Sequence, residues 1–156
     1  MGFSSMGKVV AFDERSYFSE GDARFRELGV FLNFALAGNA TFILRSHRTG
    51  RRITYKIQRT TYRHGWLVSL PKTPFESYLL LGRLSNAAVP SFKPVHMGGY
   101  CHPATIVFAW FIGQTLSAGR LPSGVDVWHV GRCGRCGRRL AYDCYPTGLG
   151  ETCERD

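Results

Sequence analysis

Two cysteines two residues apart, in Cys133-Gly134-Arg135-Cys136-Gly137, stand between His129 and a later cysteine, Cys153. A glycine after each of the first two lets backbone N–H groups turn toward the thiolates, so that both sulfurs meet one ion. Zn²⁺ is held best by four sulfur and nitrogen ligands in a tetrahedron, and four protein ligands leave no position for water. The expected site is therefore a structural zinc knuckle rather than a catalytic one. Cys133, Cys136 and Cys153 supply three ligands, and His129 and Cys144 compete for the fourth place. His129 is favoured, because imidazole is a routine zinc ligand and the residue lies just before the knuckle. A redox pair would instead sit at a helix start within a βαβ pattern, which the sequence lacks here.

Arg132, Arg135, Arg138 and Arg139 interleave with the knuckle, and a second group, Arg45, Arg48, Arg51, Arg52, Lys56, Arg59 and Arg63, surrounds a glycine-containing turn. Fixed guanidinium groups suit phosphate or carboxylate recognition. The 156-residue chain carries a formal net charge of +9. Charge clustered in this way favours an anionic partner, namely nucleic acid, a nucleoprotein complex or an acidic protein surface, over a merely solubilising coat. Arg45, Arg48, Arg51, Arg52, Arg132, Arg135, Arg138 and Arg139 are the expected partner-binding residues. Neither group matches an aromatic RNA-binding signature or a helix-turn-helix.

Catalytic signals are thin. Cys101 and His102 are neighbours in sequence, whereas a nucleophile and its base meet through the fold. No paired acids suggest general acid and base, and no glycine-rich loop with lysine suggests a nucleotide. A non-catalytic protein without a small-molecule substrate is expected. The start, Met1 to Lys8, lacks the apolar run of a signal peptide, and the apolar stretch Ile106 to Ile112 is too short to span a bilayer. A cytoplasmic protein with reduced thiols is the corresponding expectation.

The elements that must position these groups form one core, since the length is too small for two ordinary domains. Hydrophobic residues make up 44% of the chain and aromatics 13%, well beyond a disordered composition. An N-terminal arm (1–20), an α+β core (21–122) and a zinc module (123–156) are expected. Phe25, Leu28, Phe31, Leu32, Ala35 and Leu36 make one apolar helical face within Gly21 to Ala37. Thr41 to Ser46 and Arg51 to Arg59 read as a hairpin, with Ile53, Tyr55 and Ile57 alternating against Thr54, Lys56 and Gln58. Trp66 to Leu70 and Ser77 to Leu84 complete a four-stranded antiparallel meander. Asn86 to Tyr100, with its prolines and paired glycines, reads as a loop. A second helix runs from Pro103 to about Ala118, stopped by Gly119, with a middle apolar on every side. Both helices are expected to pack on the sheet.

The segments Leu121-Pro122-Ser123-Gly124-Val125-Asp126-Val127-Trp128-His129, Gly131 to Arg138, Gly148-Leu149-Gly150 and Cys153 resemble a small zinc-ribbon family of unknown function found largely in bacteriophages and prophage-carrying bacteria. Gly38 to Phe42 and Phe108-Ala109-Trp110-Phe111 share the likeness, which covers most of the chain after about residue 35. The resemblance implies His129, Cys133, Cys136 and Cys153 as the ligands. Between Leu140 and Gly148 the family usually has a Pro-Glu-Ser stretch, and this chain has Tyr142-Asp143-Cys144-Tyr145-Pro146, so Cys144 is the residue outside the pattern. A phage or mobile-element origin follows from the likeness, but no activity does. By analogy, it implies a protein that occupies a host nucleoprotein or defence complex, as inhibitors of CRISPR defence do.

Overall fold

The computed structural model describes residues 23–60, 65–71, 78–95 and 102–155. The expected N-terminal arm, Arg63 and Cys101 lie outside the described residues. The class is α+β, as expected, but the antiparallel sheet has six strands rather than four, and the described residues hold three α-helices rather than two. The strands are β1 (Asn39–Ser46), β2 (Arg52–Thr60), β3 (Gly65–Pro71), β4 (Tyr78–Ser85), β5 (Phe92–Pro94) and β6 (Val125–His129), and they lie side by side as β5-β4-β3-β2-β1-β6.

The four expected strands form the meander. β5 falls within the segment read as a loop, and its three residues are too few to display an alternation. It pairs with the outer edge of β4, placing Lys93 opposite Arg83 and Phe92 opposite Leu84. β6 comes from the segment assigned to the zinc module. It returns after the long helix to pair with β1, from Phe42 opposite His129 to Ser46 opposite Val125. The sheet thus extends into the chain beyond residue 122.

Helix α1 spans Leu28–Ala35, shorter than the helical pattern. Phe25, the first residue of that pattern, is in extended chain instead. Its N–H donates to Val127 O at 2.8 Å, and the N–H of His129 donates to Ala23 O at 3.1 Å. Pairing with the outer edge of β6 satisfies strand groups that would otherwise be left bare, and this outweighs local helical preference. Helix α2 spans Pro103–Ala118. His102 caps its start, Nδ1 accepting from the Ala104 N–H at 3.0 Å, and Gly119 closes its end in the left-handed conformation at φ 71°.

Both helices pack on one face of the sheet. Phe31, Phe34, Phe42, Tyr55, Phe108 and Phe111 are all fully buried there, and Trp66 is buried as well. The Tyr55 hydroxyl donates to Ala104 O at 2.8 Å, which ties β2 to α2, and Trp66 Nε1 donates to Leu36 O at 3.0 Å. The expectation that α2 is buried on every side is corrected: Ile106 is 61% and Trp110 46% exposed. These residues share the helix face turned away from the sheet, as i and i+4 positions do. Only the Ala104, Phe108, Phe111, Ile112 and Thr115 side is covered.

Candidate metal centre and basic face

After β6 the chain turns through Gly131 and doubles back on itself. Cys133 N–H donates to Arg138 O at 2.8 Å and Gly137 N–H to Cys133 O at 2.9 Å, which closes the tight loop that carries Cys133 and Cys136. Gly137 sits at φ 79°, where a side chain is strained. The loop is seated on the sheet end and on α1. Asn39 N–H donates to Gly134 O at 2.7 Å, and a Cβ on Gly134 would lie 2.6 Å from Phe34 O. Cys153 arrives from the short helix α3 (Glu151–Arg155).

The thiols of Cys133, Cys136 and Cys153 lie within 4.8 Å of one another, and these cysteines are in no disulfide. The N–H groups of Arg135 and Gly150 point to Cys133 Sγ at 3.4 and 3.3 Å. Burial alone would raise the Cys133 pKa, but these and neighbouring N–H groups outweigh it and lower it. Cys153 is pushed up, by burial first and then by the two adjacent thiols. Three crowded sulfurs of which one ionises readily and another resists are a donor set that a cation completes, since the metal ligand is the thiolate. These residues fit a metal ion.

His129 is not brought into that group. Strand alternation turns it, with its partner Phe42, onto the helix-covered face, where it is fully buried against the rings of Phe25, Phe34 and Tyr145. Nδ1 accepts from the Gly131 N–H and Nε2 donates to Tyr145 O, each at 2.9 Å. Both ring nitrogens therefore tie β6 to the terminal module, and the expectation of His129 as the fourth ligand is corrected on this geometry. Cys144, in the 3₁₀ turn Tyr142–Cys144, also stands outside the thiol group.

Burial pushes the His129 pKa down to about 4, against the opposing hydrogen bond to Tyr145. The unfolded chain takes up this proton near 6.5 and the folded one near 4, so its stabilising share is complete above pH 6.5 and is lost as pH falls toward 4. The expected loss is about 3 kcal/mol. Denaturant unfolding at pH 7 and pH 4 should show wild type losing about that much more than His129→Gln, and equal losses would contradict the assignment.

The terminal module covers one corner of the opposite sheet face. Leu140, Tyr145 and Leu149 join Ile43 and Trp128 in a second apolar cluster that includes Cys133. The rest of that face is basic. The strands present Arg45, Arg52, Lys56, Arg83 and Lys93 there against a single acid, Asp126, while Arg59, opposite the core residue Trp66, lies on the helix-covered face. Asp126 is already engaged by Arg45 at 2.7 Å, His47 at 2.9 Å and Arg24 at 3.3 Å. Burial raises its pKa, but hydrogen bonds from His47 and Arg45 and the nearby charges of Arg24 and His47 outweigh this and lower it. The guanidinium groups of Arg45 and Arg52 lie over the Trp128 ring, 5.6 and 5.3 Å from its centre.

One arginine of the knuckle cluster, Arg132, comes near this face. Burial and the charge of Arg132 both lower the Lys56 pKa, so one knuckle arginine extends the field of the hairpin group. Arg48 and Arg51 stand exposed at the hairpin turn, and Arg138 and Arg139 are exposed on the metal loop. Arg135 is separate from the basic face: its Nη1 donates to Cys153 O at 3.3 Å and it lines a cleft of about 560 Å³ with Arg59 and Cys153. Sequence reasoning missed Arg83 and Lys93, which face each other across β4 and β5, and Tyr78, which is 44% exposed with Lys56 Nζ 5.5 Å from its ring centre. The only signal for Arg83 was its place between buried apolar neighbours in a strand.

Among the described residues, no helix is long and apolar enough to cross a membrane. In comparisons with known proteins, no family model matches the chain, no curated protein matches it, and no solved structure matches it.

Proposed function

We propose that this protein is a non-catalytic binding protein, stapled by a zinc ion, which docks on a host nucleoprotein or defence complex through its basic sheet face. The observation that carries this reading is the gathering of Arg45, Arg52, Lys56, Arg83 and Lys93 from four strands on one sheet face whose single acid is already neutralised. Such a face complements phosphate, which positions a partner without requiring a base sequence. Exposed Ile106 and Trp110 on the opposite layer offer an apolar contact to the protein part of such a complex. The likeness of the cysteine segment to phage zinc ribbons supports a bacterial cell as the setting, and inhibition of a defence complex is taken by analogy with small, basic, non-enzymatic phage proteins. Zn²⁺ is the usual ion of structural sites built on thiolates at Cys-x-x-Cys spacing.

A second reading, direct binding of single-stranded nucleic acid, draws on Tyr78, an exposed ring beside Lys56 on which a base can stack. Salt separates the two. About six phosphate contacts on a single strand predict a fall in affinity of about 300-fold between 50 and 200 mM salt. That loss, measured by anisotropy of a labelled oligonucleotide, is expected if nucleic acid is bound directly. A complex captured from bacterial lysate that weakens less steeply with salt and is lost in Trp110→Ala is expected if an apolar protein contact adds to the basic face. A protein that retains no partner in either assay refutes both readings.

A further inference from the structure

Three thiolates leave a tetrahedral ion one ligand short. Among the described side chains, which do not include those of Glu154 and Asp156, no other cysteine, histidine, aspartate or glutamate joins Cys133, Cys136 and Cys153 within 4.8 Å. His129 is held by two hydrogen bonds elsewhere. Beside Cys153 opens the cleft of about 560 Å³ that lies between α1, the end of β2 and the cysteine loop. Arg59 and Arg135 line it, with Asn33 and Thr147 as further polar groups, and none of its lining residues is acidic. The Arg59 guanidinium rests over the Trp66 ring, 5.5 Å from its centre, and Arg135 Nη1 donates to Cys153 O. Both cations are thus held at the cleft by fixed partners.

We propose that the thiolate centre takes its fourth ligand from outside the described chain: an anionic oxygen donor, carboxylate or phosphate, bound in this cleft between Arg59 and Arg135. The inference rests on the reading of the cysteines as a metal site. A divalent ion with three thiolates carries net charge −1, and an added anion makes the centre more negative still. The two guanidinium groups lining the cleft offset that charge and offer N–H donors that carboxylate and phosphate accept. Leu149 and Val30 give the cleft an apolar wall, which suits a ligand with a small hydrocarbon part.

The test uses the full chain loaded with Co²⁺, whose ligand-field bands report the fourth ligand and whose sulfur-to-metal charge-transfer band reports the number of thiolates. Acetate and inorganic phosphate are added separately. A saturable shift of the ligand-field bands, with the charge-transfer band unchanged, is expected from at least one of the two, and the one that acts names the donor. In Arg59→Gln/Arg135→Gln the half-saturating anion concentration should rise at least tenfold, with cobalt stoichiometry unchanged. Bands indifferent to both anions overturn the proposal, as does a shift equal in wild type and double variant. A loss of charge-transfer intensity in Cys144→Ser, or a band shift in Asp156→Asn without added anion, overturns it by assigning the fourth ligand to the chain itself. Failure of the reduced protein to take up cobalt at all refutes the metal reading instead.

Discussion

Replacing Cys133 with serine is expected to abolish metal retention: metal analysis should give about one zinc per chain for wild type and none for the variant. A structural zinc site contributes on the order of 10 kcal/mol of apparent binding free energy, and on the proposed reading Cys133 is the ligand whose loss is expected to matter most. It is the buried thiol, and its sulfur takes the N–H groups of Arg135 and Gly150. The damage should spread along a defined route. Cys133 belongs to the cluster that seats Leu140 and Tyr145 on Ile43 and Trp128, so amide exchange should accelerate from about residue 130 to 150 and reach β6. The aromatic core beneath α1 and α2 is a separate cluster and should stay protected. Cys144→Ser, outside the thiol group, should keep the metal. Metal retention in Cys133→Ser would show that the thiols are not a metal site, and global loss of exchange protection would show that the two clusters unfold as one.

Reversing charge on the basic face is expected to remove partner binding while the fold persists. In Lys56→Glu/Arg83→Glu/Lys93→Glu the altered residues lie on β2, β4 and β5, and Arg83 and Lys93 are exposed. Exposed substitutions typically change stability by within about 0.5 kcal/mol each. Three lost phosphate contacts at about 1 kcal/mol apiece lower affinity by about a hundredfold, before repulsion is counted. Arg48→Glu/Arg51→Glu/Arg52→Glu should behave alike, whereas Arg135→Glu should spare this binding because Arg135 lines the cleft instead. Thermal unfolding and binding measured on the same samples decide the matter. Variants that stay folded and bind with unchanged affinity would refute the electrostatic reading and direct attention to Ile106 and Trp110.

The sequence by itself determined what rests on local chemistry. The two-residue spacing of Cys133 and Cys136 and the glycines around them announced the thiol loop. Alternation in β2 announced a half-buried strand, while Pro103 and Gly119 marked the ends of α2. Partnership across the chain lay beyond such signals. Whether Val125–His129 belonged to the metal module or to the sheet depended on β1 having an unpaired edge, which only the assembled sheet presents. That pairing also decided His129. Its chemistry suits a ligand, but the strand's period of two turned it inward with Phe42, and Gly131 and Tyr145 took both its nitrogens. The joining of Arg45, Arg52 and Lys56 with Arg83 and Lys93, from strands that looked apolar or loop-like, has the same origin. Charges far apart in sequence share a field only once antiparallel register sets their side chains on one face.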